Sequence, residues 1–141
     1  MATVELRFSA LPGHVRTARL VAAAVARRVG VDESVLDEVR LAVGEACSRA
    51  VGLHQRGGVE GTVRVALTEQ EKRFLIEVED EAGPIGRPAE GTGADGEPEV
   101  GEEDLGLAVI TGLVEEVEVG NGAEGGLIRM SWPIANVPVE A

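Results

Sequence analysis

The sequence predicts an α/β sandwich: three helices on one face of a mixed, mostly antiparallel sheet. Three observations carry this expectation. Leu36, Val39, Val43, Ala46 and Ala50 recur at steps of three and four, which makes one apolar face of a helix. Residues 62–68 and 74–80 alternate apolar and polar side chains with the period of a strand. Taken along the whole chain, such signals run in the order β-α-α-β-β-loop-α-β-β, with turn residues between them.

Each element has its own justification. Thr3 to Ser9 reads as a strand because Val4, Leu6 and Phe8 alternate with Glu5, Arg7 and Ser9. Pro12 suits the first turn of a following helix, where its missing N–H costs nothing. Val15, Ala18, Ala22, Val25 and Val29 form the stripe of that helix, and Arg16, Arg19, Arg27 and Arg28 face water. Gly30 ends it, and Asp32 caps the central helix, which runs toward Gln55 and stops before Gly57 and Gly58. After the strand Thr62 to Thr68 and a polar turn at Glu69 to Lys72, Phe74, Ile76, Val78 and Asp80 share one strand face. Leu105 to Val117 reads as a helix with Leu107, Ile110, Val114 and Val117 on one side. Glu116 to Val119 and Leu127 to Pro133 read as a closing hairpin around Asn121 to Gly126.

Between the second and third helix-bearing parts lies a stretch without periodicity, residues 83–104. It holds six glycines, three prolines, seven acids and the single arginine Arg87. A structureless segment this long inside a compact domain is a lid-like loop, and its composition favours mobility. Residues 134–141 read as a frayed tail.

The 141 residues suit a single domain, 1–141, large enough for a core without disulfides or metal. Only 2% of the residues are aromatic, so Val, Leu, Ile and Ala must fill that core. Cys47 is the only cysteine and sits near the apolar helix face, which suits a packed thiol in a reducing cytoplasm. No run of about 18 apolar residues and no charged-then-apolar leader is present, so neither a membrane span nor a signal peptide is expected. The net charge of −12 is uneven: residues 1–60 carry 8 basic and 7 acidic side chains, residues 61–141 carry 5 and 18. Such a second half repels nucleic acid, which needs clustered cations.

The candidate chemistry lies on the central helix and at a strand end. Glu45 and Arg49 are one turn apart on the flank of the buried face, where they make either an ordinary i,i+4 ion pair or part of a half-buried site. Asp80 continues a hydrophobic row, and a carboxylate there needs a partner unless it belongs to a surface loop. Gly91 to Gly96 does not follow a strand or open a helix, so it is no dinucleotide fingerprint. His14, His54 and Cys47 lack metal-ligand spacing, and no metal site is expected.

The element order, Leu41-Ala-Val-Gly-Glu-Ala-Cys-Ser-Arg-Ala-Val51, the strand ending in Asp80, the long loop, Leu105-Gly106-Leu107 and the last strand Gly126-Leu-Ile-Arg-Met-Ser-Trp-Pro133 together resemble the GHKL (Bergerat-fold) ATPase domain. The chain is most similar there to small bacterial anti-sigma factors that double as serine kinases of anti-anti-sigma proteins. That resemblance covers residues 3–134. It implies that Glu45 is the general base and that Asp80 accepts the adenine amino group. Gly83, Gly106 and Leu107 are then nucleotide-site positions.

Departures from the pattern are specific. Arg49 stands where the family has a Mg²⁺-binding asparagine, and a guanidinium offers only donors. Ala82 and Pro84 replace the glycines expected after Asp80, and Glu103 and Asp104 replace two glycines before the last helix. The implied protein is therefore an anti-sigma-like regulator with a vestigial ATP site and no cofactor. It would work by partner exchange with a sigma factor, a STAS-type anti-anti-sigma protein, or both. A homodimer through the sheet edge is implied at the same level. Two alternatives stay open: an active ATP- and Mg²⁺-dependent serine-protein kinase, and an ATP-free sensor of another ligand.

Overall fold

A computed structural model describes residues 3–82, 102–122 and 125–134, with the side chains of 102–104 excepted. The proposed lid, apart from the start of its closing helix, and all of the tail beyond Ile134 lie outside the described residues.

The strand β1 (Thr3–Ser9) leads into α1 (Pro12–Val29), a 3₁₀ turn (Glu33–Val35) and α2 (Leu36–Gly57). The hairpin β2 (Thr62–Gln70) and β3 (Arg73–Glu79) follows, then α3 (Glu102–Leu113), β4 (Glu116–Asn121) and β5 (Gly126–Pro133). Local chemistry accounts for the boundaries. Gly30 takes φ 101°, a left-handed C-cap that returns its N–H to the last turn of α1. Asp32 accepts from the Ser34 N–H at 2.9 Å, so it caps the 3₁₀ turn that feeds α2 rather than α2 itself.

The five strands lie in the order β1-β2-β3-β5-β4. Every neighbouring pair is antiparallel, so the mixed sheet expected from the element order is antiparallel throughout its described strands. The connections explain this. Two helices separate β1 from β2, and each reverses the chain, so β2 returns opposite to β1. A single helix separates β3 from β4, which would make them a parallel pair, but β5 folds back and inserts between them.

α3 begins and ends earlier than its apolar period implies. Glu102-Glu103-Asp104 is favourable sequence for a helix N-terminus, where acids meet the positive end of the dipole. At the other end Val117 leaves the helix for β4, where it pairs with Met130. A valine-rich run fits both periods, and ladder pairing with β5 decides between them.

One face of the sheet carries Val63, Val65, Phe74, Ile76, Ile128 and Met130, which share a core with the buried stripes of the helices. α2 lies centrally and packs on both α1 and α3. Its stripe of Leu36, Val39, Val43, Ala46 and Ala50 is buried as its spacing requires. Cys47 is buried beside it, and burial pushes the thiol up to about 12, which makes it a packing group. No helix among the described residues is long and apolar enough to cross a membrane.

The opposite face is a lattice of ion pairs. Arg64 meets Glu79 at 3.0 Å and Glu77 at 3.8 Å, Arg129 meets Glu77 at 2.7 Å and Glu118 at 3.5 Å, and Arg73 meets Glu116 at 3.1 Å. Alternation places these residues outward, and antiparallel register sets opposite charges across from one another at Arg64–Glu79, Glu77–Arg129 and Glu118–Arg129.

α1 contributes mainly alanines to the core, and Ala22 has 0% exposure. A larger residue there has no space to occupy. Ala22→Leu should destabilise the fold by about 1–3 kcal/mol through overpacking. Denaturant melts followed by the fluorescence of Trp132, the only tryptophan and itself buried, measure this. A near-neutral result would mean that α1 packs loosely.

Candidate functional site

The candidate site forms where α2 meets the start of α3. Glu45, Ser48, Arg49 and Gly52 are spaced by three, one and three residues, so they line one flank of α2. Leu105, Gly106 and Val109 face them from α3. Together these residues line an open cleft of about 430 Å³. Gly106 sets its width: a Cβ there would stand 3.2 Å from Glu45 Oε2, so glycine lets α3 approach the carboxylate. Glu45, Arg49 and Gly106 meet here as candidate residues of the sequence; Ser48 and Leu105 lie in the same motifs without an assigned role, and Val109 carries no sequence signal. Leu107 packs against the core beside the cleft. Gly83, Pro84 and the side chains of Glu103 and Asp104 lie outside the described residues.

Arg49 is 9% exposed, and its Nε is fully buried without a hydrogen-bond partner. Arg49 thus lines the cleft with its Nε withdrawn from water. It forms no hydrogen bond or ion pair with Glu45, so the i,i+4 pair that their spacing allows is not made, and none with Asp80. The reasons are geometric. Glu45 turns toward Gly106. Asp80 is satisfied by backbone amides instead.

Asp80 is 2% exposed, so it does continue the buried strand face. Its Oδ1 accepts from the Ala82 N–H at 2.9 Å and from the Gly126 N–H at 3.2 Å. The Asp80 N–H in turn donates to the Gly126 carbonyl at 3.0 Å. This close junction of β3 and β5 requires glycine at 125, because a Cβ there would stand 2.3 Å from the Asp80 carbonyl oxygen and 2.6 Å from Oδ1. Among the described residues no hydrogen bond engages Oδ2.

His54 also belongs to this framework, although nothing in its sequence surroundings indicates it. It is 1% exposed near the end of α2, with Nδ1 3.2 Å from the Val59 carbonyl and Nε2 3.0 Å from the Glu81 N–H. The carbonyl must accept and the amide must donate, so the ring is the neutral tautomer protonated at Nδ1. The Glu81 carboxylate accepts from the Thr62 N–H at 3.0 Å and from its hydroxyl at 3.2 Å. These bonds hold the residue after Asp80 against both α2 and β2.

Asp80 and the cleft differ in what they fit. Asp80, with one unengaged oxygen in a rigid backbone frame, fits an amino donor such as that of adenine. The cleft does not fit Mg²⁺, which takes oxygen ligands in near-ideal octahedral geometry. Among the described residues it offers one carboxylate and one hydroxyl beside a fixed positive charge.

An unpaired buried donor costs stability, and its removal leaves no partner behind. Arg49→Met should therefore be neutral or stabilising, by up to about 1 kcal/mol on that argument. Denaturant melts decide; a loss larger than about 1 kcal/mol would mean that the guanidinium has a partner after all.

Residues 8–132 match the family described as the histidine kinase-like ATPase domain. The chain is also similar to proteins named serine-protein kinase RsbW. With that of Bacillus pumilus it is 32% identical over 124 residues, covering 82% of this chain and 76% of the relative. With that of Oceanobacillus iheyensis it is 28% identical over 143 residues, covering 97% and 90%. With that of Bacillus subtilis it is 28% identical over 130 residues, covering 84% and 78%. The antiparallel sheet with its three helices agrees with these matches, and the chain belongs to the histidine kinase-like ATPase domain family.

Proposed function

We propose that this protein is an anti-sigma-factor-like regulator of transcription that acts in the cytoplasm by binding protein partners. The partners are a sigma factor, a STAS-type anti-anti-sigma protein, or both in exchange. It works without Mg²⁺-dependent ATP chemistry. The observation that carries this reading is Arg49: a donor-only side chain, buried in the cleft beside Glu45, at the position where a kinase of this family needs an oxygen ligand for its metal. Partner exchange then depends on competition for a surface rather than on phosphoryl transfer. The likeness to the RsbW proteins supports the partner classes, and the resemblance of the whole chain to small stand-alone regulators supports the mode of action.

A second reading has its own support. Glu45 keeps its place over Gly106, Asp80 keeps a free oxygen, and the similar proteins are named serine-protein kinases. Under this reading Glu45 is the general base toward a serine of the partner, and ATP and Mg²⁺ are the cofactors.

Incubation with labelled ATP, Mg²⁺ and candidate STAS-type proteins separates the two. The first reading expects no label on any partner and no gain in thermal stability from ATP with Mg²⁺. Transfer that disappears in Glu45→Ala would establish the kinase. Association is tested separately: pull-downs with the STAS-type proteins and sigma factors of the source cell should retain at least one of them. Failure with every candidate of both kinds would remove the regulator reading.

A further inference from the structure

His54 is buried in the last turn of α2, and both of its ring nitrogens are committed to main-chain groups. Nε2 accepts the Glu81 N–H at 3.0 Å, and Nδ1 donates to the Val59 carbonyl at 3.2 Å. An amide only donates, so the first bond exists only while Nε2 keeps its lone pair. A proton added there sets one N–H against another. The bond is then lost, and ring and amide must separate. We propose that His54 is a proton-operated latch on the corner formed by Asp80, Glu81 and Ala82: the neutral ring holds this corner to α2, and the imidazolium releases it. This goes beyond the partner-binding role and does not depend on it.

The corner contains a second arrangement that a charged ring can use. The Glu81 carboxylate accepts from the Thr62 amide and hydroxyl, which ties residue 81 to β2. Glycine at 61 makes room for it, since a Cβ there would overlap its Oε2. This carboxylate belongs to the residue that the ring already touches, and an imidazolium bonds a carboxylate more strongly than a neutral ring bonds an amide. Reaching it requires Glu81 to give up Thr62. Protonation therefore exchanges a main-chain tie for an ion pair and moves residue 81 relative to both α2 and β2. Asp80 and Ala82 flank that residue and are joined by the Ala82 N–H on Asp80 Oδ1, so the shift is felt where Asp80 is framed. The charged groups of this corner are Asp80 and Glu81 just after β3, Arg7 of β1, which stands 4.0 Å from Glu81 Oε1, and Arg56 and Glu60 on the same stretch of chain as His54. None of these side chains bonds either ring nitrogen, so the Glu81 amide is the group that reads the state of the ring.

Nitrogen-15 spectra of the imidazole rings and amide hydrogen exchange on the full chain test this between about pH 8 and about pH 5.5, the span in which histidines change charge and carboxylates ordinarily do not. At the upper end the His54 ring should be the tautomer protonated at Nδ1. Across the span it should gain its second proton. The protection factor of the Glu81 amide, which already corrects for the intrinsic effect of pH, should fall with it by about tenfold or more, the scale of one lost hydrogen bond. The Val65 and Ile76 amides in the sheet should keep their protection. His14, the only other histidine, should titrate without effect on residue 81. His54→Gln offers an amide oxygen to the Glu81 N–H and has no proton to gain, so it should abolish the pH dependence. Should that variant not fold, the wild type decides alone, because the ring and the Glu81 amide must then titrate with one midpoint. The proposal is overturned if the ring stays neutral throughout, if it gains its proton while Glu81 protection is unchanged, if Val65 and Ile76 lose protection to the same extent, or if His54→Gln keeps the pH dependence.

Discussion

Burial of α2 is the constraint on which the rest of the structure depends. This helix lies between α1 and α3 and over the sheet, so most of its circumference is in contact with protein. A helix buried on so much of its surface needs small residues where neighbours come close, and α2 supplies Ala42, Ala46 and Ala50 there, with Cys47 as a further packed group. Larger side chains, Leu36, Val39 and Val43, reach the sheet-side core. The same helix carries Glu45, Ser48, Arg49 and Gly52 on the flank toward α3. Any group on that flank is partly withdrawn from water by the packing that holds the fold. The site is thus made by the core, and the position of its charges follows from the helical repeat.

The second organising feature is the junction of β3 and β5. β5 inserts between β3 and β4 and brings the Gly126 amide onto the Asp80 carboxylate. The backbone takes the part that a cation would otherwise take in satisfying a buried acid. That leaves Arg49 and Asp80 as separate features, a buried guanidinium on α2 and a backbone-satisfied acid at the end of β3. His54 and Thr62 stiffen the same corner by holding residue 81 from two sides.

Charge is arranged by the same logic. Although the second half of the sequence is strongly acidic, the acids of β3 and β4 are drawn into the arginine lattice on the open sheet face. Exposed pairs of this kind are each worth little, but a connected set keeps one sign of charge from accumulating on that surface. The excess acidity therefore falls elsewhere in the chain. Acidity read from sequence describes solubility and long-range repulsion; it does not describe the sheet face that the acids themselves help to cover.

The sequence by itself determined the elements and which face of each is buried, because periods of two and of 3.6 report burial directly. Thr3–Ser9 and the buried stripe of α2 were legible to the residue, as was the inward direction of Asp80. The family was legible too, because its motif residues lie close together in sequence around Glu45 and Asp80. Tertiary structure alone decided the rest. The end of α3 was set by the pairing of Val117 with Met130, which no local period reveals. The antiparallel order was set by the insertion of β5. Arg49 lacks the carboxylate that its spacing from Glu45 suggests, since a four-residue step puts two side chains within reach without fixing where either points. The partners of Asp80 and His54 are backbone groups distant in sequence, and main-chain donors and acceptors carry no residue signature.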